Sequence, residues 1–271
     1  MVDLQPLTVG NARVKEARKL SRRSVRTERR LFLADGPHAV EGALATALTD
    51  GGSCAVEVFA TVAATEQYAV LRAAADERAV PWTPVEDRAL ASLSDSVSPA
   101  GLVAVCRFLD EPAADVWSGL DLVAICADVR DPGNAGTVIR TADAAGAGAV
   151  VLAGRSVDAY NPKTVRASAG SLFHLPLSVA PDPVEAVRHT RSAGLTVLAA
   201  DGEGEVDLFD ADDLLRGRVA WLFGNEAWGL PPELAALADH RVRIPIAGRA
   251  ESLNLATAAA VCLYATARAR R

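Results

Sequence analysis

The alternation of apolar and polar residues along the chain predicts short strands separated by amphipathic helices. Apolar runs typical of buried strands lie at 121–127, 149–153, 176–180, 195–200, 218–224 and 241–245. Helical spacing of apolar residues is found at 134–146, 161–169, 182–193, 232–239 and 253–269. This order predicts an α/β fold with a mostly parallel sheet covered on both faces, whose binding sites lie at the carboxyl ends of its strands.

A smaller α/β unit is predicted before this region. Its strands are expected at 31–36, 54–61 and 102–109, and its helices at 39–50 and 65–79. The stretch DEPAADVWSG, residues 110–119, is typical of a linker. We therefore expect four parts: a basic N-terminal arm over 1–30, a small α/β domain over 31–109, a linker over 110–119 and a second α/β domain over 120–271.

Composition places the chain among globular proteins. Half of its 271 residues are hydrophobic and 23% are charged. No apolar run approaches the roughly 20 residues of a membrane helix, and the first 20 residues lack the apolar core of a secretory signal. We expect a cytoplasmic protein without a membrane partner.

Charge is distributed unevenly, although the net charge is only −6. Residues 1–30 contain nine Lys or Arg against three acidic residues, a net charge of +6, so the other 241 residues carry −12. A basic segment on an acidic body favours contact with nucleic-acid phosphates, and Arg22 and Arg23 are candidates for it. A solvated, partly disordered tail is the alternative interpretation.

The cysteines and histidines give no sign of a metal site. Cys54, Cys106, Cys126 and Cys262 are far apart in apolar surroundings, which predicts buried reduced thiols. There is no CxxC pair and no HExxH motif, and the four histidines are scattered. We therefore expect no metal.

The loop DPGNAGT at 131–137 follows an apolar strand and opens a helix, as nucleotide-binding loops do. It nevertheless matches neither GxGxxG nor GxxxxGK[ST], so a phosphate cradle is not supported. Asn134 suits the N-cap of that helix. Arg140 follows the apolar pair Val138-Ile139, and an arginine near the carboxyl edge of a sheet suits a phosphate or a ribose.

Two later stretches carry further polar residues at strand ends. In FGNE, residues 223–226, Gly224 permits close backbone approach to a ligand, and the Glu226 carboxylate must be solvated or paired. In IPIAGRAESLN, residues 244–254, either Ser252 or Asn254 suits the cap of the long C-terminal helix.

In this order the three stretches resemble the motifs of the SpoU/TrmH family of RNA ribose 2′-O-methyltransferases. The first resemblance is N-x5-R (Asn134 and Arg140), the second is GNE at 224–226 and the third is IP…ESLN at 244–254. The stretch NPKTVRASAGSLFHLP, 161–176, also resembles the segment between the first two motifs. The resemblance covers roughly residues 31–271.

The resemblance implies a knotted homodimeric methyltransferase. Its C-terminal part would form a deep trefoil knot, and the unit at 31–108 would be an RNA-binding fold shared with some ribosomal proteins. S-adenosylmethionine would be held mainly by backbone groups of Gly224, Ile244 and Leu253. Phe223, Asn225 and Ile246 are their expected neighbours in the cofactor site.

The resemblance also assigns Arg140 to activation of the 2′-hydroxyl. A guanidinium is a poor base, so Arg140 either stabilises the developing oxyanion beside a phosphate or loses its proton transiently. Glu226 is a second candidate for orienting or accepting that proton. Asn134 and Glu226 are expected to position the ribose or Arg140, and Ser252 and Asn254 to organise the loop and the cofactor pocket, with Asn254 the more important for catalysis.

RNA phosphates are expected to meet Lys163, Arg166 and Arg130. Ribosomal RNA is the favoured substrate because a folded domain precedes the methyltransferase part. The alternatives are transfer RNA, or a non-catalytic RNA-binding or ribosome-assembly factor. The latter would have lost the arginine or the GNE and SLN loops, and all of these are present.

Overall fold

A computed structural model describes residues 5–49, 51–111 and 119–271. The chain divides into two compact units: one comprises the residues up to Leu109 together with Tyr160–His174, and the other comprises Asp110–Ala159 and Leu175–Arg271. Most of the expected linker, residues 112–118, lies outside the described residues. No helix in the described part of the chain is long and apolar enough to cross a membrane.

The first unit is built on a small mixed sheet. Within the described residues this sheet has four strands in the order β1-β4-β2-β3, with β1 and β2 antiparallel to β4, and β3 parallel to β2. The strands are β1 Leu31–Asp35, β2 Ala55–Ala60, β3 Trp82–Pro84 and β4 Leu102–Arg107. The helices of this part are α1 Ala12–Arg18, α2 Arg23–Arg29, α3 Pro37–Ala45, α4 Val62–Gln67, α5 Ala69–Glu77 and α6 Asp87–Ala91.

The basic segment is folded into this unit. A 3-10 turn, Lys19–Ser21, joins α1 to α2. Val14, Ala17 and Leu20 form a buried stripe that packs in the same core as Leu33 and Phe59. The alternative of a solvated tail is therefore wrong for the described part of this segment, residues 5–30.

The second unit contains the expected parallel sheet, and the α/β prediction is confirmed. Among the described residues it has seven strands in the order β7-β6-β5-β10-β8-β11-β9, and every neighbouring pair is parallel. Its strands are β5 Leu122–Ala127, β6 Ala149–Ala153, β7 Leu177–Ala180, β8 Thr196–Ala200, β9 Val206–Asp207, β10 Val219–Phe223 and β11 His240–Arg243. Helices in this part of the chain are α7 Pro132–Ala144, α8 Pro162–Ala167, α9 Pro183–Ser192, α10 Asp212–Leu215, α11 Pro232–Ala235 and α12 Leu255–Ala269.

The segment 160–174, which includes α8, belongs to the first unit rather than to the second. Tyr160 stacks on Phe108 with ring centroids 3.8 Å apart, and its hydroxyl accepts a hydrogen bond from the Leu109 N–H at 2.7 Å. Helix α8 packs on β1. The division of the chain therefore differs from the expected one, in which 120–271 formed a single domain.

Strand β11 and the loop after β8 approach each other unusually closely. A Cβ atom on Gly204 would lie 2.6 Å from the Arg241 carbonyl oxygen, so only glycine fits against that backbone. The loop is also tied to β11 by Glu205, whose Oε1 accepts the Arg241 N–H at 3.0 Å. The knot expected for this part of the chain stays a prediction.

We predict that Gly204→Ala lowers the free energy of unfolding by about 1–3 kcal/mol, because the β11 backbone has to move. Gly202→Ala in the same loop is the control, since a Cβ there meets nothing within 4 Å, and its effect should stay within about 0.5 kcal/mol. Denaturant unfolding measures both variants. Equal stabilities of the two variants would contradict the close approach.

Candidate active site

The three sequence motifs meet at the carboxyl ends of β5 and β10. These strands are neighbours in the sheet, with Phe223 paired to Cys126, although they are almost a hundred residues apart in the chain. The residues that follow β5, 128–131, therefore lie beside those that follow β10, 224–229. This edge of the sheet is where a parallel α/β fold places its binding sites.

Glu226 is paired with backbone N–H groups of the loop after β5. Its Oε1 accepts the Asp131 N–H at 2.9 Å and its Oε2 accepts the Arg130 N–H at 3.1 Å. Partial burial acts to raise the pKa of this carboxyl, but the hydrogen bonds from Asp131 and Arg130 outweigh it and hold the pKa below its ordinary value. The Glu226 carboxylate therefore links the loop after β10 to the loop after β5 by hydrogen bonds.

Asn134 and Asn254 extend this arrangement into one hydrogen-bonded chain. Asn134 Nδ2 donates to Glu226 Oε1 at 3.2 Å, and Asn254 Nδ2 donates to Asn134 Oδ1 at 3.1 Å. One residue from each motif thus belongs to a single network, which we call the Glu226–Asn134–Asn254 chain.

The two asparagines lie at the N-termini of two helices, and only one of them is a cap. Asn254 is the N-cap of α12, because its Oδ1 accepts the Ala256 N–H at 2.9 Å and the Thr257 N–H at 3.3 Å. The expectation that Asn134 caps α7 is wrong: Asp131 is the cap, and its Oδ1 accepts the Asn134 N–H at 2.8 Å. The Asn134 amide is thereby left to bind Glu226 and Asn254.

Asn225 holds the loop backbone in place. Its side chain is only 6% exposed, its Nδ2 donates to the Asp128 carbonyl at 2.7 Å and its Oδ1 accepts the Ala227 N–H at 2.8 Å. Asp128 has a left-handed φ of 57° and accepts the Arg155 N–H through Oδ1 at 2.7 Å. The Asn225 side chain, expected at the cofactor, is therefore engaged within the protein.

The fold requires glycine at position 224, because another part of the backbone passes close to it. Asn225 and Gly229 exchange backbone hydrogen bonds of 2.8 and 2.9 Å, which folds the chain back over Gly224. A Cβ on Gly224 would overlap the carbonyl group of Gly229. The close approach expected at Gly224 is therefore made by a neighbouring backbone.

The four cysteines are buried and unpaired by disulfides, as predicted. Cys126 lies near the carboxyl end of β5, where the charge of Glu226 acts on it. Burial, and after it the Glu226 charge, raises the pKa of the Cys126 thiol to about 12. A thiol whose pKa is raised in this way is a poor nucleophile at neutral pH.

Arg140 and Ser252 lie outside the hydrogen-bonded chain. Both are exposed, and neither makes a hydrogen bond or an ion pair with the part of the protein that the structure describes. Arg140 is six residues beyond Asn134 on α7. The structure joins Asn134, Glu226 and Asn254 by hydrogen bonds, and among the described residues it gives the Arg140 guanidinium no hydrogen bond to them.

A cavity of about 440 Å³ lies beside the loop after β10. Its walls combine apolar surface with the side chains of Asp201, Glu203 and Arg241, a mixture that suits a nucleoside-sized ligand. Sequence reasoning missed its residues, which come from loops without a motif. The lining residues are Ala200, Asp201, Gly202, Glu203, Trp228, Gly229, Leu230, Pro232, Ala235, Ala236 and Arg241.

The predicted cofactor residues do not line this cavity. Phe223 is fully buried and stacks on Trp221 with centroids 6.1 Å apart, so only its backbone can face a ligand. Ile244, Ile246 and Leu253 lie between β11 and α12 with partly or substantially exposed side chains.

The predicted RNA contacts divide between the two units. Arg130 is exposed at the active-site loop of the second unit. Lys163 and Arg166 lie on α8 in the first unit, where Arg166 Nη1 pairs with Asp95 Oδ1 at 2.9 Å. Arg22 and Arg23 are exposed in the same unit, where α2 begins.

Comparison with known families matches both parts of the chain. Residues 121–264 match the SpoU rRNA Methylase family, and residues 11–104 match the MRM3-like substrate binding domain. The second match includes most of the basic segment.

Three similar proteins illustrate the relationship. The chain is 31% identical to the 23S rRNA (guanosine(2553)-2′-O)-methyltransferase RlmP of Bacillus subtilis over 94% of this chain and 95% of that protein. It is 44% identical to the 23S rRNA (uridine(2479)-2′-O)-methyltransferase of Streptomyces viridochromogenes, over 51% of this chain and 50% of that protein. The crystal structure of an AdoMet-bound rRNA methyltransferase from Sinorhizobium meliloti superposes with a TM-score of 0.81 at 33% identity, covering 98% of each chain.

We predict that Glu226→Gln removes a pH-dependent part of the stability. A carboxyl whose pKa folding lowers contributes stability above its unfolded-state pKa of about 4.3 and loses it as the pH falls through the folded-state pKa. The melting temperature of the wild type should therefore exceed that of E226Q above about pH 5, and the gap should shrink towards about pH 3.

Glu233→Gln is the control for this titration, because Glu233 is exposed and makes no hydrogen bond or ion pair within the described residues. A wild-type advantage over E226Q that stays constant across this pH range would show that the charge of Glu226 is not what holds the loops.

Proposed function

The chain belongs to the SpoU rRNA methylase family, and we propose that it transfers a methyl group from S-adenosylmethionine to a ribose 2′-hydroxyl of ribosomal RNA. The observation that carries this proposal is the Glu226–Asn134–Asn254 chain, which joins the three motifs at the carboxyl edge of the parallel sheet. The relatives named as 23S rRNA 2′-O-methyltransferases support the reaction and the class of RNA.

The second unit offers a place for the cofactor. S-adenosylmethionine supplies, when bound, an activated methyl group on a positively charged sulfur. The loops 224–230 and 244–253 present backbone groups, and the adjoining cavity of about 440 Å³ adds the carboxylates of Asp201 and Glu203. These carboxylates suit the hydroxyl groups and the positive charge of such a ligand.

The Glu226–Asn134–Asn254 chain positions donors for the ribose. Because Glu226 and Asn254 fix both ends of the Asn134 amide, its orientation is determined. Within the described residues, Asn134 and Asn254 each keep one Nδ2–H without a partner. These two N–H groups orient ribose oxygens, which is the positioning that brings a reacting hydroxyl into line.

Glu226 acts as a positioning residue, because its lowered pKa and its two N–H partners make it a weak proton acceptor. Arg140 supplies the exposed positive charge. A guanidinium is a poor base, so Arg140 stabilises the developing 2′-oxyanion and a neighbouring phosphate of the RNA. The proton of the 2′-hydroxyl passes to solvent water, because Arg140 and Glu226 both lie at the exposed surface of the site.

The enzyme acts as a homodimer in the cytoplasm. This proposal rests on the family to which the chain belongs. The large apolar or aromatic side chains that the second unit exposes are candidates for the interface: Val179, Phe209, Trp228 and Tyr264. Light scattering during size exclusion should give the mass of two chains, and a monomeric mass would refute the dimer.

We predict that Arg140→Ala lowers the methyl-transfer rate by about 10²–10³-fold, because a preorganised charge at a developing oxyanion has this magnitude of effect. Transfer is measured from radiolabelled S-adenosylmethionine to transcribed 23S rRNA and, separately, to transcribed tRNA. The label in rRNA should make one ribose position resistant to alkaline cleavage.

The matched control is Arg188→Ala, since Arg188 is an exposed arginine of the same unit that pairs with Glu185 on its own helix. Cofactor binding by R140A, measured by calorimetry, should equal that of the wild type. Label confined to tRNA would overturn the substrate, and a full rate for R140A would overturn the role of Arg140.

A further inference from the structure

The first unit presents four cations that have no partner among the residues that the structure describes. Lys15 and Arg18 lie three residues apart on α1, so they share one side of that helix. Arg22 lies between the 3-10 turn and α2. Arg23 follows where α2 begins. All four are exposed, and none makes a hydrogen bond or an ion pair with residues that the structure describes.

Three other cations of this segment are paired with carboxylates. Arg13 binds Glu57, and Lys19 and Arg29 bind Glu16 at 2.5 and 2.7 Å. These two sets of cations differ in their surroundings. One set is neutralised by neighbouring carboxylates, and the other leaves its charge and its donors to solvent.

The segment that carries these cations is held on a rigid support. On the same helix and turn, Val14, Ala17 and Leu20 are buried in the core of the first unit. Arg26, only 2% exposed, donates through Nη1 to the carbonyls of Leu20 and Ser21 at 2.8 Å each and so clamps the turn between α1 and α2. The backbone of this segment therefore has little ordering entropy left to lose when a ligand binds.

We propose that Lys15, Arg18, Arg22 and Arg23 form a phosphate-binding face by which the first unit grips the backbone of the RNA substrate. That the ligand is RNA rests on the function proposed above. The contacts are to phosphates, because four unpaired cations on the protein surface provide charge and donors but no groove that reads a base.

Charge and shape both favour this partner. The chain outside residues 1–30 carries a net charge of −12, so an RNA is repelled by the body and attracted to this segment. A membrane surface fits less well, because the apolar side of the helix is turned into the protein core and has nothing to insert into lipid.

The test compares two triple variants that remove the same charge from the same segment. K15Q/R18Q/R22Q neutralises the unpaired cations, and R13Q/K19Q/R29Q neutralises the paired ones. Binding of the full chain to transcribed, unmodified 23S rRNA is measured at several salt concentrations, with melting temperatures to establish folding. For K15Q/R18Q/R22Q, we expect the slope of log affinity against log salt to fall by about 2–3 and affinity near 0.1 M salt to fall about tenfold or more.

R13Q/K19Q/R29Q should keep a slope within about one unit of the wild type. Equal losses in the two variants, or an unchanged slope in K15Q/R18Q/R22Q, would overturn the face. Single-turnover transfer at saturating rRNA separates this outcome from the proposed function. If the wild type transfers label but the slopes agree, only the face fails; if the slopes differ but no label is transferred, only the reaction fails.

Discussion

The arrangement of the second unit depends on one carboxylate between two loops. Glu226 lies in the loop after β10 and accepts the N–H groups of Arg130 and Asp131, which follow β5. These residues are far apart in the chain, and the parallel pairing of β5 with β10 brings them to the same edge of the sheet. Through Asn134 the same carboxylate determines where Asn254 places its amide, so the three motifs act as one unit.

Around this carboxylate the site is rigid on one side and open on the other. On the rigid side, the backbone at Gly224 lies so close to Gly229 that a Cβ atom has no room. The nearly buried Asn225 side chain also holds this side by a hydrogen bond to the Asp128 carbonyl. The open side carries Arg140 on the surface of α7. A site of this kind suits a reaction in which fixed donors orient a ribose and a solvent-facing charge meets an RNA that arrives from outside.

Continuous apolar runs such as LVAICA made the parallel sheet predictable from sequence, because a strand buried on both faces has no other pattern. The three motifs likewise indicated Asn134, Glu226 and Asn254. Other features had no such signal. In residues 1–30, nine cations surround the three buried apolar positions that the structure describes there, Val14, Ala17 and Leu20. The sequence therefore predicts a basic arm where the structure has folded helices. The sequence pattern predicts the N-cap of α7 at Asn134. In the structure the cap is Asp131, because Pro132 occupies the first turn of the helix. The cavity residues come from several loops that only the folded sheet brings together.

Amide hydrogen exchange in the wild type and in Glu226→Ala tests the central claim most directly, because it reads the two loops separately. If the carboxylate organises the site, E226A exchanges faster at Arg130 and Asp131 and also at Ala256 and Thr257, which Asn254 caps. The strands β5 and β10 should keep their protection. Unchanged exchange at Ala256 and Thr257 in E226A would contradict the claim that Glu226 couples the motifs.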